Sequence, residues 1–309
     1  MRKVICFLTL LIACCCKGKK EEAVVKPVVE TIHVDISSKA GTIPFEDVFD
    51  SMRLVPLETT PESLLGIIGR IIIHKNDIYI LNKQAQSILV FDGNGKFLRK
   101  IHKVGGGEGE YYQLMDFAID NDKERLILLT DRPEALYYYD LEGTFITRES
   151  LPTYYINILY ADGKLLLVNQ KSDLEYKVFV RDMETGEVAQ YLGITENDRI
   201  FENFGIGSSY SGFYPRAIKS NSPHIFFPYT DTIYQLMDGT VSPKYKIDFG
   251  KQSIPKGFFN DERSASDNYQ LAMDGGYGSF IANFKESKDF VCFSFGGGNC
   301  TMVVYSKKT

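Results

Sequence analysis

The chain has 309 residues, 44% of them hydrophobic and 24% charged, an ordinary globular balance, and length alone leaves either two compact domains or one large all-β array. The formal net charge is −5 and the isoelectric point about 5.5. No Lys/Arg cluster is present, which argues against a nucleic-acid partner, because phosphate binding needs concentrated positive charge.

At the N-terminus, Arg2 and Lys3 form a positive region, and Val4 to Ala13 form an apolar stretch too short to span a bilayer. Leu11-Ile12-Ala13-Cys14 resembles the lipobox of bacterial lipoproteins, in which a small residue precedes a cysteine that is acylated before cleavage. Cys15 and Cys16 fit less well, since each would put a cysteine at the cleavage position. Lys17-Gly18-Lys19-Lys20-Glu21-Glu22 is hydrophilic and aperiodic, as a solvated tether is. Lys20-Glu21-Glu22 also resembles the export signal of surface lipoproteins in Bacteroidetes, although a plain charged linker accounts for it equally well. The expected organisation is a signal peptide over 1–13, a lipidated Cys14 with its tether over 14–30, and a folded domain over 31–309. Such a protein works at a membrane surface without crossing it.

The body repeats one phrase: an apolar run, an acidic turn with Gly, and a second β-prone run. Leu89-Val90-Phe91-Asp92-Gly93-Asn94-Gly95-Lys96-Phe97 is one copy and Tyr137-Tyr138-Tyr139-Asp140-Leu141-Glu142-Gly143-Thr144-Phe145 another. Looser copies run from Val178 to Val188 and from Ile233 to Val241. Equivalent residues fall at 97, 145, 188 and 241, spacings of 48, 43 and 53. A strand-only repeat of that length predicts the blades of a β-propeller, about four strands each. In the first repeat these are expected near Ile67–His74, Asp77–Leu81, Ser87–Asp92 and Lys96–His102. Runs such as Ile71-Ile72-Ile73, Leu126-Ile127-Leu128-Leu129 and Leu165-Leu166-Leu167-Val168 do not alternate, which suits sheets buried on both faces.

Over roughly Phe45 to Tyr305 the chain resembles the six-bladed propeller lipoproteins of Bacteroidetes, related in architecture to NHL-type propellers. The Leu54-Val55-Pro56-Leu57-Glu58 segment and the loop Gly105-Gly106-Gly107-Glu108-Gly109-Glu110-Tyr111 carry the resemblance. The loop departs from the family's Gly-Arg-Gly-Pro-Gly-Glu-Tyr at Gly106 and Glu108. Only five repeats fit before the chain stops, so either five blades form the ring or it is incomplete. Met52–Leu57 is then a candidate to complete the last sheet by pairing with Thr301–Tyr305, removing an exposed edge.

Cys292 and Cys300 flank Gly296-Gly297-Gly298-Asn299, a predicted hairpin turn. That register sets Cys292 opposite Val303 and Cys300 opposite Phe295, too far apart for a disulfide, so both are expected as thiols.

No catalytic signature emerges. His33, His74, His102 and His224 are scattered without ligand spacing, so no metal or cofactor is expected, and no Gly-x-Ser-x-Gly elbow presents a serine. Gly105–Gly109 precedes a strand and lacks the helix of a phosphate cradle. Asp120-Asn121-Asp122-Lys123-Glu124 reads as a hairpin turn, since it lacks the glycine and terminal acid of a calcium loop. The loops Gly193–Phe213 and Gly250–Tyr277 are long and aromatic, and such loops tend to be functional.

The site expected from these features is a common mouth bordered by Glu108, Glu110, Tyr111, Arg132, Tyr210 and Tyr269, with turns at Asn82-Lys83-Gln84 and Asp131-Arg132 beside it. Arg132 stands as the replacement for the family arginine, since its planar fork can pair a carboxylate or sugar acid; the rival role is an ion pair with Glu110 across the rim. The sequence thus predicts an outer-membrane, lipid-anchored binding or scaffold propeller on the cell surface, with a periplasm-facing leaflet as the alternative. Its ligand class, a small molecule, glycan or peptide, stays open. The alternative function is a propeller glycoside hydrolase or lyase, which two carboxylates about 5 to 9.5 Å apart in the mouth would favour.

Overall fold

The computed structural model describes residues 29–37, 41–169, 174–202, 224–227, 229–296 and 301–308. Strand β1 (Glu30–His33) comes first. Blade 1 follows with β2 (Ile68–His74), β3 (Asp77–Asn82), β4 (Ser87–Phe91) and β5 (Phe97–Ile101). Blade 2 holds β6 (Gln113–Asp120), β7 (Arg125–Arg132), β8 (Glu134–Asp140) and β9 (Phe145–Ser150), and blade 3 holds β10 (Asn157–Ala161), β11 (Lys164–Val168), β12 (Tyr176–Asp182) and β13 (Val188–Gly193). After helix α1 (Glu196–Ile200), blade 4 contains β14 (His224–Phe226), β15 (Thr232–Met237) and β16 (Thr240–Asp248); after helix α2 (Ala265–Asp274), blade 5 contains β17 (Ala282–Glu286), β18 (Phe290–Phe295) and β19 (Thr301–Ser306). The protein is a five-bladed β-propeller, as the repeat predicts.

The repeated phrase is a turn built by one carboxylate. Asp92 Oδ1 accepts from the backbone N–H groups of Asn94 and Lys96, at 2.8 and 2.9 Å. Asp140 does the same for Glu142 and Thr144, and Asp182 for Glu184 and Thr185. Gly95, Gly143 and Gly186 then take φ of +86°, +89° and +77°, a region that disfavours any side chain. In the fourth copy, Asp238 and Gly239 both have positive φ and close a two-residue hairpin, the geometry that matches strand twist.

Consecutive blades pack through four apolar layers. Tyr79, Val90, Phe117, Leu128 and Tyr137 join blades 1 and 2, while Leu129, Tyr138, Ile158 and Leu167 join blades 2 and 3. Leu166, Val178, Ile225 and Leu236 join blades 3 and 4, and Ile233, Ile247, Phe284 and Phe293 join blades 4 and 5. The runs in β4, β7 and β11 are buried throughout or nearly so, because both faces meet neighbours. The run in β2 is different: Ile71 and Ile73 are 52% and 61% exposed. They belong to the first blade, whose outer-lying residues Ile80, Leu89 and Phe91 are covered by Leu57 and Leu65 while the first strand is not.

The ends of the chain depart from expectation. Met52–Leu57 forms no strand and does not pair with β19. It lies along the turn of blade 1, where Glu58 N–H donates to Gly95 O, Phe97 N–H donates to the Glu58 carboxylate, and Arg53 donates to Gly93 O. The N-terminal strand that does join a sheet is β1, which pairs in parallel with β16 beyond the outer edge of blade 4. Blade 5 is a three-stranded sheet among the described residues. Within it Cys292 stands opposite Val304, one residue from the expected Val303, so Phe295 meets Thr301. Cys292 is a half-buried free thiol; Cys300, Cys14 with residues 15–28 of its tether, and Tyr210 lie outside the described residues, while Glu30, expected at the end of the tether, already belongs to β1.

Candidate functional site

In each of the first three blades the start of the first strand pairs with the end of the second: Ile68 with Asn82, Gln113 with Arg132, Asn157 with Val168. Loops between blades and turns between second and third strands therefore emerge at the same end of each sheet, where specificity is carried in this architecture.

The first expected cluster is self-contained. Glu110 folds back so that its carboxylate accepts from Gly107 N–H at 2.7 Å. A Cβ on Gly105 would collide with that carboxylate, which accounts for the glycine there. Tyr111, expected to face a ligand, is fully buried between blades 1 and 2, and its hydroxyl donates to Gln86 O at 3.1 Å. It therefore fixes the loop and cannot line a mouth. Glu108 is exposed. Arg132 is 75% exposed and stands 4.0 Å from Asp131, not in an ion pair with Glu110. The Asp120–Glu124 segment is a hairpin turn, with Asp120 accepting from Asp122 and Lys123 N–H groups and pairing with Arg125 at 2.8 Å.

The two long loops do come together, at the junction of blades 3, 4 and 5. The first begins with α1, capped by Thr195: its hydroxyl accepts from Asp198 N–H while the Asp198 carboxylate accepts from Thr195 N–H. The second carries α2, capped by Ser264. Both segments are expected as loops, and both carry helix-start signals, Thr195-x-x-Asp198 and Ser264-x-x-Asp267. Phe201 from the first loop meets Phe259 from the second, at 4.8 Å between ring centroids, and both pack on Phe280. Tyr269 sits behind this layer, edge-on to Phe280 at 4.7 Å, and anchors α2.

In front of that layer is a cleft of about 500 Å³, lined by Thr195–Asn197, Tyr229–Asp231, Ile247, Phe249, Ser253–Phe259, Gly278 and Ser279. The size suits a small organic ligand. Beneath it lies a buried ionic network. Lys177 and Asp198, 7% and 3% exposed, pair at 3.0 Å, and Tyr229 Oη donates to the same carboxylate. Burial, reinforced by Asp198, pushes the Tyr229 hydroxyl well above its ordinary range, so it stays a donor. Stacking on Phe201 at 5.0 Å fixes the Tyr229 ring. Thr195 Oγ1 is spent on Asp198 and Thr230 Oγ1 on Phe227 O, while Ser253 Oγ accepts from Phe249 N–H and donates to the Asp248 carboxylate.

Ser279 is the exception. It is 6% exposed, lines the cleft, and its hydroxyl has no hydrogen-bond partner among the described residues. A buried polar group left unpaired costs about 1–3 kcal/mol, and this hydroxyl, with essentially no accessible surface, does not open onto the cleft. Among the described residues, no group of three or more His, Cys, Asp or Glu side chains is placed to hold a metal. No helix among them is long and apolar enough to cross a membrane.

A five-bladed propeller with a cleft between its inter-blade loops is the class of protein that fold and geometry define. The chain belongs to the family described as domain of unknown function DUF4934, whose model matches residues 29–309. No curated protein matches it. Among solved structures it is similar to an exported protein of Bacteroides fragilis, at 18% identity and a TM-score of 0.70, covering 91% of this chain and 78% of that one. A DUF4221 member from Bacteroides vulgatus is also similar, at 12% identity and a TM-score of 0.44, covering 82% of this chain and 81% of that one. Virginiamycin B lyase from Staphylococcus aureus shares 12% identity at a TM-score of 0.43, covering 74% of this chain and 63% of that one.

Proposed function

We propose that this protein is a lipid-anchored, exported binding propeller whose ligand sits in the cleft between the two long loops. One observation carries the reading: a concave space of about 500 Å³ that draws on both long loops, walled by Ile247, Phe249, Ile254, Phe258 and Phe259 and edged by Glu196 and Lys256. The aromatic layer behind the cleft and the Lys177–Asp198–Tyr229 network beneath it hold its walls in place, as a preorganised binding site requires. Asp198, bound to Lys177, Tyr229 and Thr195, serves to hold the wall of the cleft. The lipobox at Cys14 and the charged tether support anchoring at the outer membrane, with the propeller displayed beyond the tether.

Two experiments test the halves of this proposal. A Cys14→Ala precursor should lose membrane association and accumulate uncleaved; unchanged partitioning into the detergent phase overturns the anchor. For the cleft, the protein is screened against glycan and peptide arrays beside a Pro255→Trp variant, which places a bulky ring at an exposed position of the lining. Binding is expected to be lost in the variant while its melting temperature is retained. Hits that bind both forms equally place the ligand elsewhere.

A further inference from the structure

We infer that the cleft takes a short peptide with free termini and an apolar side chain; the inference rests on the cleft being the ligand site. The groups left without partners around it define the chemistry. These are the Asn197 side-chain amide, the Glu196 carboxylate and the Lys256 ammonium, none of which has an ion pair or side-chain hydrogen bond among the described residues. Asp231, the remaining charged residue of the lining, is engaged by Thr232 Oγ1 at 2.8 Å and by Lys246 at 3.8 Å.

One free anion and one free cation thus come from two different loops, and they are not paired with each other. A zwitterionic ligand meets both: its ammonium with Glu196 and its carboxylate with Lys256. The Asn197 amide presents one acceptor and two donors, the complement of a peptide unit. Ile247, Ile254, Phe249, Phe258 and Phe259 form an apolar wall for a side chain between the two charged ends. A neutral oligosaccharide fits less well. Its many hydroxyls need many partners, while the hydroxyls of Thr195, Thr230, Ser253 and Tyr229 are committed inside the protein. The chain also has no Trp to provide a broad stacking platform.

Calorimetric titration of the full chain in detergent tests this with the tripeptide Ala-Phe-Ala, its N-acetyl and C-amide forms, triglycine and maltotriose. Free Ala-Phe-Ala should bind. Removing the aromatic side chain, as in triglycine, should weaken binding about tenfold or more. Capping either terminus should weaken it about threefold or more, because the charge pairs are at the rim. In Glu196→Gln the free and N-acetylated peptides should become equal, and in Lys256→Met the free and amidated ones; both residues are at the surface, so folding is unaffected. Equal affinity of free and capped peptides in the unaltered protein overturns the inference. Maltotriose binding that Pro255→Trp abolishes, with no peptide binding, also overturns it but keeps the cleft as the ligand site. Peptide binding that Pro255→Trp leaves unchanged overturns both.

Discussion

Arg70 and Asp116 stand on the first strands of neighbouring blades and meet at 2.6 Å, their side chains only 9% and 3% exposed. The same Asp116 oxygen accepts from Asn157 Nδ2 and from Ile158 N–H on the first strand of blade 3, and Arg70 also donates to Ile158 O. One buried ion pair therefore ties three consecutive blades where their first strands converge. Removing one partner leaves the other charged, buried and uncompensated. Arg70→Ala should cost about 3–5 kcal/mol, whereas Arg70→Met combined with Asp116→Asn, which removes both charges but keeps an acceptor for Asn157 and Ile158, should recover part of that loss. Urea unfolding of the two variants decides it. A single mutant as stable as the parent would mean that water reaches the pair.

Blades 4 and 5 share a different network. Glu286 receives Lys244 at 2.7 Å and Tyr245 at 2.7 Å, is bonded by Lys307, and lies 2.6 Å from His224 Nε2. Burial pushes the His224 imidazole down to about 4, against the opposing attraction of Glu286. Burial raises Glu286, but hydrogen bonds from Lys244, Lys307 and Tyr245 outweigh it and bring the carboxyl to about 2. Both groups hold protons more readily in the unfolded chain. Stability should therefore fall as pH drops, through His224 between about 6.5 and 4 and through Glu286 between about 4.5 and 2. His224→Phe, which keeps a ring beside Phe284, should flatten the upper part of that decline. Melting temperatures measured at half-unit pH steps check this, and equal slopes for variant and parent above pH ~4.5 would refute it.

Gly95 tests how the N-terminal segment is held. Its φ is +86°, and the space a Cβ would take is occupied by the Pro56 carbonyl oxygen. Gly95→Ala combines left-handed strain of about 1–2 kcal/mol with a backbone clash that only movement of residues 53–58 relieves. The expected result is modest destabilisation with faster proteolysis in that segment, mapped by mass spectrometry. If cleavage stays confined to other regions, the segment is held by contacts besides this turn.

The blades were legible because their signal is local. The Asp carboxylate and the left-handed Gly act within five residues, so the four strands of blade 1 fall within about two residues of their expected bounds. What joins distant segments was not legible. β1 selects β16, 215 residues away at the His33–Asp248 contact, and nothing in Glu30–His33 names that partner. The cleft draws on four separated stretches, and Lys177 reads as an ordinary strand lysine until Asp198 is seen beneath it. Tyr111 misled for a related reason. An aromatic in a glycine-rich loop suits a rim and a core equally, and here packing against Tyr137 at 6.0 Å decides for the core.

The floor of the cleft yields the last prediction. Asp198 accepts from Lys177, Tyr229 and Thr195, and Lys177 also stands 4.2 Å from the centre of the Phe227 ring. Tyr229→Phe removes one hydrogen bond to a charged group but keeps the ring stacked on Phe201, so it should cost about 1.5–3 kcal/mol and leave the cleft's shape intact. Lys177→Met is more severe: it strands a buried carboxylate, at about 3–5 kcal/mol, and frees Asp198 to pull away from the Thr195 cap. That cap carries Glu196 and Asn197, so ligand affinity should fall in Lys177→Met and hold in Tyr229→Phe. Denaturant unfolding measures the first difference, and titration of a ligand found on the arrays measures the second. If both variants bind as the parent does while Lys177→Met is destabilised as expected, the network serves the fold alone and does not position the cleft.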